Sequence, residues 1–175
     1  MNNKTKKMVY AALLTALAII IPVQFSFLRV YYPPFSATLA SHVPMFIAML
    51  IAPEVAAVVG LGSTLGFVLT GLPMTVVFRA ATHILVGYVG AKIINKTRSY
   101  LKASIITAPI HGLAEMIVVI PFVGFDLYQL LIVTCVCGMI HHCIDAVIAG
   151  VLVKSVAKAG HKDFYNLLID NKKAA

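Results

Sequence analysis

The chain begins with MNNKTKKMVYAALLTALAIIIP, residues 1–22, in which three lysines precede an uncharged apolar run at residues 8–21. Twelve of the 14 Lys and Arg residues lie in only three places, which are residues 1–7, 92–102 and 154 onward. Long uncharged runs between basic clusters are typical of a multi-pass membrane protein, and the cytoplasmic loops of such proteins carry the Lys/Arg excess. We therefore expect a protein of the cell membrane with both termini in the cytoplasm.

The composition excludes an ordinary soluble domain. Hydrophobic residues make up 61% of the 175-residue chain and charged residues only 11%, which is more apolar surface than a soluble domain of this size can bury. The net charge of +8 lies at loop ends, which favours contact with the inner lipid leaflet over nucleic acid. Three cysteines within an apolar run are expected to stay reduced.

Six apolar runs predict the fold. Each run is bounded by proline, glycine or charge, and the first has no small-residue cleavage site, so we expect it to be retained as a helix. The second and third are short, at about 22 Å as helices, and are expected to be tilted or shielded. The prediction is an all-α integral membrane protein, a compact bundle of six transmembrane helices in one domain. The runs cover residues 8–21, ended by Pro22, then 37–51, 55–69, 74–94, 103–123 and from about 126–129 to 156, with a first outer loop at 23–35.

Ionisable residues inside these runs are the candidate site, because burying them in hydrocarbon requires a partner, a cavity or a ligand. Counted from the outer helix ends, His42, Arg79 and Glu115 all lie about 8 to 10 Å below the outer surface. His83 and His111 lie one turn further in, each four residues from Arg79 or Glu115. The pattern indicates a polar pocket that opens outward.

Arg79 is the most informative of these residues. A guanidinium keeps its charge at any physiological pH, and its donor fork matches a carboxylate. One interpretation is an ion pair with Glu115 that holds the fourth and fifth helices together. The other is that Arg79 binds the carboxylate of an anionic ligand, with His83 or His42 as a second donor. The two interpretations are compatible if Glu115 pairs with Arg79 when no ligand is bound.

The sixth run carries a second polar group. Imidazole and thiol side chains together suggest a transition-metal site, but adjacent residues on a helix point about 100° apart, so few of these groups should converge. We expect no metal site here, and instead hydrogen bonding between helices or a floor for the pocket to which His142 contributes. The group consists of Cys135, Cys137, His141, His142, Cys143 and Asp145.

The chain resembles a known family. Its first run contains Ala12-Leu-Leu-Thr-Ala16, its first outer loop is rich in proline and aromatics, and residues 32–45 read YPPFSATLASHVPM. With residues 60–67, GLGSTLGF, and 78–83, FRAATH, these features are similar to the S components of energy-coupling factor vitamin transporters, and in particular to the niacin-specific branch.

The resemblance implies a function. An S component captures a vitamin from outside, and Ala12 and Ala16 would form the face that docks on a transmembrane scaffold subunit bound to two ATPase subunits. The chain itself has no G-x-x-x-x-G-K-[ST] phosphate loop, so the energy would come from those partners.

For nicotinate, Arg79 and His83 are expected to bind the carboxylate. The pyridine nitrogen would then be met by His42, His111 or Glu115, with no cofactor required. Aromatic residues of the loops would cover the ring, and the candidates are Tyr31, Tyr32, Phe35 and Tyr128.

Other functions stay open at this point. Pantothenate, folate and biotin also present a carboxylate to Arg79, and a metal-uptake component would use the His/Cys group of the sixth run. An enzyme is not expected, because the chain has neither H-E-x-x-H nor G-x-S-x-G.

Overall fold

The computed structural model describes residues 3–159, which contain six α-helices and one β-hairpin. The basic residues Lys162, Lys172 and Lys173 of the predicted cytoplasmic tail lie outside the described residues. The elements in chain order are α1 (Asn3–Gln24), a 3₁₀ turn (Ser26–Leu28), β1 (Arg29–Tyr32), β2 (Phe35–Thr38), α2 (Val43–Ile51), α3 (Pro53–Leu69), α4 (Met74–Thr97), α5 (Tyr100–Val123), a π-helical segment (Tyr128–Val136) and α6 (Cys137–Lys158).

Four helical stretches are long and apolar enough to cross a membrane: α1, α4, α5 and the continuous helix from the π-helical segment through α6. The chain is therefore a multi-pass, largely helical membrane protein. The 17-residue α3 is apolar and spans about 25 Å, whereas the nine-residue α2 spans only about 13 Å. Because the hydrocarbon core is about 30 Å thick, α2 cannot cross it alone.

The predicted largely helical fold is confirmed, but the second helix does not begin where the sequence predicted, and the first outer loop contains a hairpin. Residues 29–38 form an antiparallel hairpin in which Arg29 pairs with Thr38 and Tyr32 with Phe35, so α2 begins at Val43 and not at residue 37. The physical reason is local. β-branched and aromatic residues in β1 favour extended backbone, and Pro33 and Pro34 confine the chain to a turn between the two strands.

Prolines and a π-helical segment modify the long helices. The prediction that Pro22 ends the first helix is wrong, because α1 continues through it to Gln24. Membrane helices tolerate such prolines where neighbouring groups bond the freed backbone atoms. In the π-helical segment, the Thr134 hydroxyl donates to the Gln129 carbonyl at 2.8 Å.

The described basic residues other than Arg29 and Arg79 gather at one end of the bundle. The Lys7 ammonium lies 2.6 Å from the Glu54 carboxylate at the start of α3, and short connections then make α3, α4, α5 and α6 alternate in direction. The hairpin lies at the opposite end. This arrangement agrees with the charge pattern of the sequence, and the cytoplasmic location of the basic end stays a prediction.

Close approach of helices depends on glycine. A Cβ at Gly60 of α3 would lie 2.7 Å from the backbone nitrogen of Ile84 in α4, so only glycine allows this contact. Gly62 and Gly66 on the same helix accommodate Thr15 and Ile19 of α1. The small residues therefore hold α3 between α1 and α4, beside the polar site.

We predict that Gly60→Ala destabilises the protein, because the clash is with backbone that cannot move without separating the two helices. The expected loss is about 1–3 kcal/mol, measured as a lower unfolding temperature in detergent. Gly150→Ala is the matched control, since its Cβ would meet only the Tyr100 ring at an ordinary 3.4 Å. Equal unfolding temperatures for the two variants would contradict the packing described here.

Candidate functional site

A buried ion pair joins α4 to α5. Arg79 Nε donates to Glu115 Oε1 at 3.0 Å, and Arg79 Nη2 donates to Oε2 at 3.1 Å. Both residues are nearly fully buried, with 5% and 2% of their surface exposed. The two parallel bonds form the fork geometry that makes Arg–carboxylate pairs strong. The ion pair proposed from the sequence is present.

The hairpin completes the environment of Arg79. Its Nη1 donates to the Ser36 carbonyl at 3.0 Å, and its guanidinium lies 5.1 Å from the centre of the Phe35 ring. The hydrogen bond to Ser36 and the two to Glu115 use three of the five guanidinium N–H groups, counted among the described residues. Two donors are left for another acceptor.

Five of the six histidines meet in one cluster next to this pair. The His42 ring, just before α2, lies at its centre, with its centroid 4.6 Å from His83, 4.7 Å from His111 and 4.4 Å from His141. The fifth member, His142, lies 6.1 Å from His42. Helices α4, α5 and α6 thus each direct imidazole groups towards the start of α2.

One side of the cluster is fixed by hydrogen bonds. The Nδ1 atoms of His111 and His142 lie 3.1 Å apart, and His142 Nε2 lies 3.0 Å from the Thr107 hydroxyl. His111 Nε2 is 3.1 Å from Glu115 Oε1. The contacts connect α6 through α5 to the Arg79–Glu115 pair.

Asp145 fixes the other side, and sequence reasoning did not assign it to the site. Its two oxygens accept the backbone N–H groups of Ala40 at 2.7 Å and His42 at 2.9 Å, and His141 Nε2 lies 3.1 Å from Oδ2. Asp145 is fully buried. It therefore holds the connection between the hairpin and α2, where Ala40 has a positive φ of 69°.

Three polar residues of the sixth helix converge on the cluster, and these are His141, His142 and Asp145. The two histidines do point in different directions, but α2 and α5 flank α6 on either side, so that both rings reach the same cluster. The spacing of four between His141 and Asp145 places both on one face of α6.

The three cysteines do not belong to this cluster. Cys135 is buried, Cys137 is half-buried and Cys143 is exposed, and all three are free thiols. Among residues 3–159, the side chains close enough to hold a metal ion are histidines and carboxylates only.

A small cavity of about 60 Å³ opens beside the ion pair. Its polar lining includes Arg79, Glu115, His42, His83 and His141, while His111 and His142 lie behind them. Its apolar wall is built from Met45, Val59, Phe67 and Val76. Pockets for drug-sized molecules measure about 300 Å³ or more, so this cavity suits only a small polar ligand.

The aromatic residues predicted to cover a ligand divide into two groups. Phe35 is buried and contacts Arg79. Tyr31, Tyr32 and Tyr128 are exposed, at 69%, 55% and 56%, and do not line the cavity. The Tyr32 and Tyr128 side chains interact with each other, which ties the hairpin to the start of the last helix.

The two alanines predicted to dock on a partner lie on the outside of the bundle. Ala12 and Ala16 are exposed on α1, whereas Ala11, Leu14 and Ala18 of the same helix are buried. Large apolar residues flank the alanines on the exposed side, and these are Leu13, Leu17 and Ile20.

A comparison with curated proteins finds a relative over almost the whole chain. The niacin transporter NiaX of Lactococcus lactis subsp. cremoris (strain MG1363) is 32% identical over 188 aligned positions, covering 97% of this chain and 84% of the relative. The chain belongs to the NiaX family. This places it in the niacin branch of the S components of energy-coupling factor transporters, as the motifs indicated. No family profile and no solved structure gives a significant match.

We predict that Asp145→Asn destabilises this NiaX-family protein. The asparagine amide keeps one oxygen as an acceptor, but its NH₂ group cannot accept the second of the two backbone N–H groups that Asp145 binds. Leaving that buried N–H group without an acceptor costs about 1–3 kcal/mol. The change in unfolding temperature in detergent measures this loss. Glu54→Gln is the matched control, because the exposed pair with Lys7 contributes under about 1 kcal/mol. An Asp145→Asn protein as stable as the control would show that Asp145 does not hold the hairpin.

Proposed function

We propose that the protein is the substrate-binding S component of a niacin importer and that it binds nicotinate in the cavity beside Arg79. The observation that carries the proposal is a buried guanidinium with two N–H groups left over, at a small polar cavity. The niacin-transporting relative supports the identity of the vitamin.

Arg79 is held ready for an anion. Glu115 and the Ser36 carbonyl fix the plane of the guanidinium, so little side-chain entropy is lost when a carboxylate binds to the remaining donors. A charge-assisted hydrogen bond in a dry site is also stronger than a neutral one. Nicotinate, which is an anion, meets this requirement better than its uncharged amide.

The pyridine ring has partners in the same cavity. His42 Nδ1 is buried, makes no hydrogen bond with the described residues and lies 3.4 Å from Asp145 Oδ2, so the His42 imidazole can offer an N–H group to the ring nitrogen. Val59 and Phe67 supply flat apolar walls. We propose that the ring lies between the histidines and these walls, and that Tyr32 and Tyr128 close over the entrance.

Entry requires the hairpin to move. Phe35 and Ser36 of β2 contact Arg79 from above, and the cavity is small for a substituted ring with them in place. Displacing β2 would free the Arg79 Nη1 donor and enlarge the cavity together.

Transport would depend on partners. We propose that the exposed Ala12–Ala16 face docks on a transmembrane scaffold subunit, that two ATPase subunits supply the energy, and that the basic end of the bundle, with both termini, faces the cytoplasm. The exposed alanines and the apolar residues beside them support a close helix–helix contact at this face.

We predict that Arg79→Gln lowers the affinity for nicotinate at least about 30-fold, because removing one partner of a buried charge contact costs about 2–5 kcal/mol. Titration calorimetry on the purified protein in detergent measures the affinity. Arg98→Gln, at the far end of α4, is the control and should bind as the unmodified protein does. Unchanged affinity in a folded Arg79→Gln protein would refute the proposed site, and equal affinity for nicotinamide would refute the role of charge.

We predict that Ala16→Trp abolishes nicotinate uptake in cells and leaves binding by the isolated protein unchanged, because the bulky ring blocks a partner helix but lies away from the cavity. Ile117→Trp, on the exposed face of α5, is the control and should transport normally. Normal uptake by the Ala16→Trp protein would show that another face docks.

A further inference from the structure

The histidine cluster leaves three buried nitrogen atoms without a hydrogen-bond partner among the described residues: His42 Nδ1, His83 Nε2 and His111 Nε2. Each unsatisfied polar atom of this kind costs about 1–3 kcal/mol. Native interiors rarely leave such groups alone, and several together require a bound partner such as water, a ligand or an ion. The question is which of these atoms share a position that an ion could occupy.

Three overlapping groups bring three ligand atoms within 4.8 Å of one another. In the group of His42, His141 and Asp145, the carboxylate already accepts two backbone N–H groups. The group of His42, His111 and His142 would require the Nδ1 contact between the last two to break.

The remaining group, of His83, His111 and Glu115, contains two of the three unpartnered nitrogens. An ion in this group would bind two unpartnered nitrogens without replacing a hydrogen bond between its own ligands.

The local geometry requires a positive charge between His111 and Glu115. When His111 donates its Nδ1 hydrogen towards His142, its Nε2 carries a lone pair. That lone pair faces Glu115 Oε1 at 3.1 Å without hydrogen-bond geometry. Two electron-rich atoms at this distance repel each other unless a proton or a metal cation lies between them, and a contact without hydrogen-bond geometry suits a metal ion better than a proton. The separation is close to the roughly 3.4 Å between ligand atoms around tetrahedral Zn²⁺ with bonds of about 2.0–2.1 Å.

We infer that His83 Nε2, His111 Nε2 and Glu115 Oε1 bind a divalent transition-metal ion, of which Zn²⁺ is the type. Two imidazoles and one carboxylate are a known three-ligand set for zinc with a fourth position open. His83 and Glu115 line the cavity, so the open position faces it. The inference concerns a resident ion and does not depend on which vitamin the protein carries.

The surrounding residues act as a metal site's outer partners usually do. The second ring nitrogen of a metal-bound histidine usually donates a hydrogen bond to a neighbouring acceptor, and a metal-bound carboxylate accepts further hydrogen bonds. His142, itself held by Thr107, meets the second nitrogen of His111. Arg79 donates to both oxygens of Glu115. The orientations of the His111 ring and of the Glu115 carboxylate are therefore fixed before an ion binds.

The test is a direct measurement of metal binding. The full chain, purified without a histidine tag and stripped with a chelator, is titrated with Zn²⁺ against a competing dye of micromolar affinity. We expect one Zn²⁺ per chain, and at least about a 100-fold loss of affinity in His83→Gln and His111→Gln, since even outer partners of metal sites contribute 10–100-fold. His161→Gln, outside the described residues, is the matched control and should bind as the unmodified protein does.

A spectroscopic measurement covers variants that do not fold. X-ray absorption of the Zn²⁺-loaded unmodified protein should show two imidazole nitrogens and one carboxylate oxygen, and Co²⁺ in its place should give the intense visible bands of a tetrahedral site. Failure of the folded protein to bind Zn²⁺, unchanged affinity in the two His→Gln variants, or a shell of three imidazoles or containing sulfur would each overturn the inference.

Discussion

A guanidinium that cannot lose its charge lies inside an apolar helical bundle, and the rest of the site is arranged around it. Arg79 is neutralised by Glu115 through two hydrogen bonds that join α4 to α5. Leaving either charge alone in such a place costs about 3–5 kcal/mol, so the two helices are held in register. With a third N–H group bonded to the Ser36 carbonyl, Arg79 still has two N–H groups left at the cavity, so a structural contact keeps the capacity to bind an anion.

The hairpin and Asp145 convert this pair into a closed site. β2 supplies the Ser36 carbonyl and the Phe35 ring above Arg79, and Asp145 anchors the backbone just after the hairpin at Ala40 and His42. The carboxylate on α6 therefore sets where β2 lies and where the central imidazole points. If the hydrogen bonds of Asp145 stay intact while a ligand enters, β2 is the part that must move.

The sequence was sufficient for the membrane class, the helix order and the Arg79–Glu115 pair, because charge placement and spacings of four are local patterns. It did not predict the hairpin, because residues 35–42 are as apolar as a helix start. The residues of β1 and the two prolines favour extended chain locally, and contacts with Arg79 and Asp145 then hold β2 and the turn after it in place. The sequence left open whether His141 and Asp145 belong to the pocket, for a related reason. Helical spacing shows that adjacent side chains such as His141 and His142 point in different directions. It does not show that residues of α2 and α5 lie in both of those directions and form one cluster with them.

The most direct measurement of the central claim is the position of a bound vitamin. A crystal of the protein grown with 5-bromonicotinate would locate the bromine by anomalous scattering and the carboxylate by its density. The account predicts the carboxylate at about 3 Å from the Arg79 guanidinium, with the ring between His42, His83 and Phe67. A fully occupied ligand elsewhere, with Arg79 still covered by β2, would contradict it.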